Sequence, residues 1–254
     1  MIRGLYTSAV GMAIQQQRMD VVTHNLANAA TNGFNRQVVV TQSFNDVLAV
    51  RVRDTPNSLS PIIGPMSLGI FTNTVHRDFS QGVVSQTNAP FDLAINESGF
   101  FAINALINGE LQNMYTRNGS FTISSDGFLT TLDGNHVLDV AGNSIQIEDG
   151  IATINQNGEL FIDEVLVAQI RVANFENLES LRPFGMNLYS TTEETVEIPF
   201  VGAVLQGHIE QSNVNSIREM VEIITISRTF EANQQMIRMQ DQTLSQAVNE
   251  IGRR

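Results

Sequence analysis

Six Asn-Gly or Asp-Gly pairs fall between residues 108 and 158, at Asn108, Asn118, Asp126, Asp133, Asp149 and Asn157, each with glycine following. These dipeptides favour the φ > 0 backbone of tight hairpin turns, so this stretch is held to short strands rather than long helices. Between the pairs lie runs rich in β-branched and aromatic residues: Phe100–Ile103, Ser120–Ile123, Phe128–Thr131, Ile151–Ile154 and Leu160–Ile162. Leu166, Ala168, Ile170 and Val172 alternate with Val167, Gln169, Arg171 and Ala173, the pattern of a half-buried strand. Regular hairpin spacing without a helical period predicts an antiparallel sandwich or barrel-like domain over residues 81–205.

The two ends have a different period. Ile2, Leu5, Ala9, Met12, Gln16, Met19, Thr23, Leu26 and Ala30 step 3-4-3-4, a heptad stripe diluted by Gln16 and Thr23. Gly4 and Gly11 inside it each cost about 1 kcal/mol relative to alanine. The turn signal Asn32-Gly33 sets the end of this helix near residues 28–30. At the other end, Ser216 followed by Glu219 reads as a capping box. From there Met220, Ile223, Ser227, Phe230, Gln234, Ile237, Asp241, Leu244, Val248 and Ile251 repeat the same spacing, with Gly252 as the stop. Val221 and Ile224 add a second apolar row near its start. Two such helices can cap the core of their own chain. Their polar seam residues also suit a coiled coil formed with another copy, where such residues fix register and partner number.

Residues 37–80 are read as an extended connecting arm. Val38–Val40 has strand character, but Pro56, Pro61, Gly64 and Pro65 point to an irregular path. The domain division is therefore 1–36 (N-terminal assembly helix and turn), 37–80 (arm), 81–205 (β domain) and 206–254 (C-terminal assembly helix). Residues 176–200 are mixed, with a turn at Asn187–Tyr189 leading to another strand.

Charge separates the same regions. Only 16% of residues are charged, against about a quarter in an average soluble protein. Neutral polar surfaces repel each other weakly, which suits packing against copies. Residues 1–36 carry a net charge of +2, residues 213–254 are neutral, and residues 37–212 hold six Arg against twenty acids. An acidic middle argues against nucleic acid or anionic lipid as a partner. No apolar run is long enough to span a bilayer, so no membrane insertion is expected. The start of the chain lacks a charged-then-apolar leader, so export, if it occurs, is expected to proceed without a cleaved signal peptide.

Chemistry has little to stand on. There is no cysteine, and His24, His76, His136 and His208 are scattered without metal-ligand spacing. Ser124-Ser125-Asp126-Gly127 reads as a hairpin turn rather than a nucleophile or calcium loop. Neither a catalytic residue nor a cofactor is expected. A glycan hydrolase and a secreted β-domain adhesin are the readings from other classes.

Several motifs are similar to those of one family. They are Leu5-Tyr6-Thr7-Ser8-Ala9 with Gly11-Met12 and Gln15-Gln16; Asn25-Leu26-Ala27-Asn28 followed by Thr31-Asn32-Gly33-Phe34; and Phe91-Asp92-Leu93-Ala94-Ile95 with Gly99-Phe100-Phe101. Tyr115-Thr116-Arg117-Asn118-Gly119-Ser120-Phe121 and Gly127-Phe128-Leu129 follow, then Gly207, Glu210, Ser212-Asn213-Val214-Asn215, Glu219, Val221 and Arg228. In this order and over essentially the whole chain, they resemble the flagellar basal-body rod and hook family, and within it the rod proteins. The long stretch from Phe34 to Asp92 is nearer the distal than the proximal kind, with a proximal rod or hook-type axial protein as the alternative. Glu97 departs from the pattern, standing where the family often has glycine.

The resemblance implies a structural subunit, exported through the flagellar type III apparatus. It would form a homo-oligomeric helical filament beside other rod and hook proteins in the cell envelope, in the periplasm where an outer membrane exists. It also implies an α+β fold whose terminal coiled-coil helices pack together, with the central antiparallel all-β domain facing outward. The assembly residues expected on pattern and motif together are Leu5, Met12, Met19, Asn25, Leu26, Asn28 and Phe34 from the first end. From the second end they are Asn213, Val214, Asn215, Val221, Ile224, Phe230, Ile237 and Leu244.

Overall fold

The structure, a computed structural model, describes residues 2–43, 47–50, 62–66, 70–107, 109–148, 150–185 and 187–251. The fold is α+β. Helices α1 (Ile2–Ala27) and α2 (Ser216–Gln246) bracket a succession of short strands, paired mainly antiparallel. Two compact units result: residues 1–26, 37–76 and 216–254 form one, and residues 27–36 and 77–215 form the other.

The second unit is the β domain. Among the described residues its main sheet has nine strands, with Phe100–Ile107 near the centre. That strand carries apolar residues on both faces, because each face meets a separate core. Phe101, Ile103 and Ala105 enter the larger cluster with Leu93, Ile95, Met114, Leu129 and Leu160. Phe100 and Ala102 enter a second cluster with Tyr115, Phe175, Leu181 and Tyr189. Its long hairpin partner, Glu110–Thr116, is in register from Phe101↔Thr116 to Ile107↔Glu110.

The turn chemistry holds at most of the predicted sites. Gly109, Gly127, Gly134 and Gly158 all have positive φ at turns between paired strands. Gly127 N–H donates to the Ser124 carbonyl at 2.9 Å, so the Ser-Ser-Asp-Gly run is the hairpin turn it was read as. Asn118-Gly119 is different and corrects the reading. It is not a hairpin turn: Asn118 accepts the Ser120 N–H through its own side chain, and a Cβ on Gly119 would lie 1.7 Å from the Leu93 carbonyl oxygen. Glycine is there for close approach of backbone. Asn108 and Asp149 lie outside the described residues.

The expected strand over residues 166–173 is split in two, Val165–Gln169 and Val172–Phe175, which belong to different sheets. Ile170 between them is buried, but Leu166 is exposed and Ala173, expected to face outward, is buried, so the alternation does not carry through the run.

In the first unit, the described residues between 37 and 77 form strands, where the prolines suggested an irregular path. Gln37–Ser43 pairs with Ile70–Arg77, and Val47–Val50 pairs antiparallel with Ile62–Met66. Pro65 stands opposite Leu48 in the latter ribbon. A two-stranded ribbon has free edges, where a missing N–H is tolerated. Pro56 and Pro61 lie outside the described residues.

Candidate assembly interface

The helices α1 and α2 pack antiparallel, through a row of small and polar residues with Ile14, Val22 and Ile226 buried in or beside it. A Cβ on Gly4 would come within 2.5 Å of Gln240 Nε2, and one on Gly11 within 3.2 Å of Asn233 Nδ2. Arg18 pairs with Glu222 at 3.0 Å, and Asn25 Nδ2 donates to Glu219 Oε2 at 3.4 Å. Down α1 the contact row is thus Gly4, Gly11, Arg18 and Asn25, with Ser8, Ile14 and Val22 buried beside it. Up α2 it runs Glu219, Ile226, Asn233 and Gln240.

This row stands one residue away from the apolar stripe that marks α1 in the sequence. Leu5, Met12, Met19 and Leu26 are only half-buried, flanking the contact, and Ala9, Gln16 and Thr23 are exposed. On α2 Ile223, Ser227, Phe230, Ile237 and Leu244 of the expected stripe are half-buried and Met220, Gln234, Asp241 and Val248 are exposed, while Ile226, Asn233 and Gln240 stand in the contact row. Val221 and Ile224 are exposed. Met19 and Phe230 line a cavity of about 130 Å³ between the helices, with Gln15, Gln16, Ile226, Ser227 and Glu231. The glycines read as a destabilising feature of α1 are what let the helices approach. Helix α2 begins at Ser216 itself and continues beyond Gln246 as a π-helical turn, Ala247–Ile251; the predicted stop at Gly252 lies outside the described residues.

The asparagines of the motifs do structural work inside each unit. In the first unit the Asn25 side chain copies a β-ladder pair, its Nδ2 donating to Gln37 O at 2.8 Å and its Oδ1 accepting from Gln37 N at 2.9 Å. It joins the last turn of α1, the first strand and the first turn of α2, where Glu219 is wholly buried. In the β domain Asn213 does the matching job. Its Oδ1 accepts from Arg36 N at 2.7 Å, and its Nδ2 donates to the carbonyls of Asp78 and Ser80 at 2.8 and 2.9 Å. Asn28 and Phe34 are buried, Val214 is half-buried and Asn215 is exposed.

The turn Thr31-Asn32-Gly33-Phe34 is locked from several sides. Gly33 has φ +66°, its N–H donates to the Glu210 carbonyl at 2.8 Å, and a Cβ there would fall 2.5 Å from Asn118 N. Both the conformation and the space exclude a side chain. Asn32 Nδ2 donates to Ser120 Oγ at 2.9 Å, and Asn187 Nδ2 donates to the Asn32 carbonyl. Next to it, Arg117 and Glu210 form a buried ion pair at 2.6 Å. The Arg117 guanidinium also donates to the carbonyls of Gly99, Ile95 and Glu97, and Glu210 Oε1 accepts the Gly82 N–H. Glu97 is held at φ +83°, a left-handed conformation that glycine adopts without strain. The Tyr189 hydroxyl accepts from Asn35 and Arg77 at 2.9 and 3.0 Å, and the Arg77 guanidinium lies 5.1 Å over the Tyr189 ring. None of these tethers announces itself in sequence, since each joins residues far apart in the chain.

His24 lies on α1 and His76 on a strand of the first unit, and His136 and His208 lie on different sheets of the β domain. Among the described residues no group of three or more His, Cys, Asp or Glu side chains is placed to hold a metal ion. No helix of the described residues is long and apolar enough to cross a membrane.

Three family models match the chain in the order that the architecture suggests. Residues 5–35 match "Flagella basal body rod protein", residues 94–162 match "Flagellar hook protein FlgE/F/G D1 domain", and residues 205–250 match "Flagellar basal body rod FlgEFG protein C-terminal". The chain is 34% identical over 262 residues to the flagellar basal-body rod protein FlgG of Buchnera aphidicola subsp. Acyrthosiphon pisum, covering 96% of this chain and 98% of the relative. It is 31% identical to FlgG of Agrobacterium fabrum over 96% of this chain and 97% of the relative. With FlgF of Caulobacter vibrioides it shares 31% identity over 100% of this chain and 99% of the relative. With both ends and the middle matched and the relatives aligned over nearly their whole length, the chain belongs to the flagellar basal-body rod protein family.

Proposed function

We propose that this protein is a structural subunit of the bacterial flagellar basal-body rod, the distal rod in particular, and that it polymerises through α1 and α2. The carrying observation is the division of labour on the helices. The small and polar row, Gly4, Gly11 and Asn25 against Gln240, Asn233 and Glu219, is used within the chain. The half-buried apolar residues Leu5, Met12 and Leu26 beside it, with exposed Val221 and Ile224, are available to neighbouring copies. A neighbour seated on them would complete coiled-coil packing, and a heterologous contact of this kind repeats into an open helical tube.

Several features support this reading. The FlgG relatives favour the distal segment, and the acidic β domain fits a position outside a neutral helical tube. The role is mechanical, carrying torque from motor to hook, with rod and hook proteins as neighbours, no cofactor and no catalytic residue. Export would run through the flagellar type III apparatus. Deleting residues 1–30 tests the helix-driven assembly: loss of polymer with the β-sheet circular dichroism retained is expected. Filaments forming at the wild-type concentration without α1 would overturn it.

A further inference from the structure

The chain has no cysteine and no tryptophan, so its nine methionine thioethers are the groups most open to a mild oxidant. Five of the nine stand on the two helices: Met12 and Met19 on α1, and Met220, Met236 and Met239 on α2. Their surroundings grade them. Met12 and Met19 are half-buried, and Met19 lines the cavity between the helices. Met220, Met236 and Met239 are 51%, 46% and 53% exposed, whereas Met114 is closed inside the core of the β domain.

These three thioethers supply much of the apolar surface that α2 leaves bare. Met220 has exposed Ile217, Val221 and Ile224 at i−3, i+1 and i+4, so it sits beside the residues ascribed above to neighbouring copies. Between Ile224 and Val248, Met236 and Met239 are the exposed large apolar side chains of the helix, among the described residues. Three apart, they lie side by side on one face. An unbranched, polarisable thioether adapts to an irregular partner surface, which suits such a place.

We infer that Met220, Met236 and Met239 form an oxidation-sensitive site that controls assembly, an inference that rests on the rod reading and adds a chemical switch to it. The oxidant is hydrogen peroxide. The sulfur lone pair takes one peroxide oxygen as the O–O bond breaks, and the other oxygen leaves as water. Sulfur is oxidised by two electrons and the peroxide is reduced by two. The product sulfoxide is a polar acceptor, and burying it against a neighbour without a donor opposes the contact. Free subunits are open to the reaction, and subunits within a filament are shielded from it.

The test treats free subunits of the full chain with dilute peroxide and places the sulfoxides by mass spectrometry of peptides. Met220, Met236 and Met239 should oxidise first, Met12 and Met19 later and Met114 last, with the β-sheet circular dichroism unchanged. The three sulfoxides together should raise the concentration needed for polymer about tenfold or more. Methionine sulfoxide reductases, one for each epimer, should bring it back. A chain carrying Met220→Leu, Met236→Leu and Met239→Leu keeps the side-chain volume and should assemble equally well before and after peroxide. In preformed filaments the three thioethers should oxidise several times more slowly than in free subunits. Polymer from fully oxidised wild-type chains at the untreated concentration would overturn the inference and leave the rod reading standing. So would equal oxidation rates in filament and free subunit, or a leucine chain that loses assembly on oxidation as wild type does. Untreated chains that fold but never polymerise would overturn both.

Discussion

Arg117 Nε lies 2.6 Å from the Glu210 carboxylate, with both side chains closed off from water. The pair joins the loop at residues 95–99, the Gly82 backbone and, through the Glu210 main chain, the Gly33 turn. Removing one member leaves the other charge buried alone. Arg117→Ala is therefore expected to destabilise the β domain by about 3–5 kcal/mol. Replacing both with apolar residues of similar volume should cost distinctly less, and chemical denaturation followed by circular dichroism separates the two outcomes.

Glu97 offers the opposite sign. Its φ of +83° is strained for a side chain but ordinary for glycine. Its carbonyl contact with Arg117 is a backbone contact and survives substitution. Glu97→Gly should stabilise the domain by about 1 kcal/mol, seen as a rise of a few degrees in thermal midpoint.

Gly33 cannot accept a Cβ. The left-handed backbone and the 2.5 Å approach to Asn118 N act together, so Gly33→Ala should cost about 2 kcal/mol or more. The loss should appear as faster amide exchange at position 33 and at Phe34, whose N–H groups donate to the Glu210 and Thr31 carbonyls and close this turn.

On the helices the prediction concerns assembly. Leu26→Asp and Phe230→Asp should each abolish polymer formation while the β-sheet circular dichroism of the monomer stays unchanged. Wild-type filament yield in both variants would count against helix-driven assembly. Because glycines and polar residues dilute their apolar stripes, α1 and α2 should also gain helicity and exchange protection when monomers assemble.

The β domain was legible because its turns carry their own chemistry. Gly127, Gly134 and Gly158 adopt the positive φ that Asp-Gly and Asn-Gly pairs favour, whatever the surrounding fold. Asn118-Gly119 misled because a close backbone approach selects glycine as strongly as a turn does, and only the packed structure tells them apart. The helix seam was displaced for a related reason. A hydrophobic stripe locates apolar side chains, whereas α1 meets α2 through Gly4, Gly11 and Asn25, whose value lies in shape and in amide hydrogen bonding. Asn25 and Asn213 were singled out by motif alone. Their bonds to Gln37 and to Arg36, Asp78 and Ser80 depend on the folded path, which spacing in the chain does not encode.

The small, polar row between α1 and α2 has a thermal consequence. Burying apolar surface carries a large heat-capacity change, and burying amides carries a smaller one of opposite sign. Forming the pair within one chain, with only Ile14, Val22 and Ile226 buried beside that row, should therefore change heat capacity less than a wholly apolar seam would, and its stability should vary more gently with temperature. Contacts on the outer residues Leu5, Met12 and Leu26 are of the other type: entropy-driven near room temperature and weaker in the cold. Chilled filaments should come apart between subunits before either helix parts from its own partner.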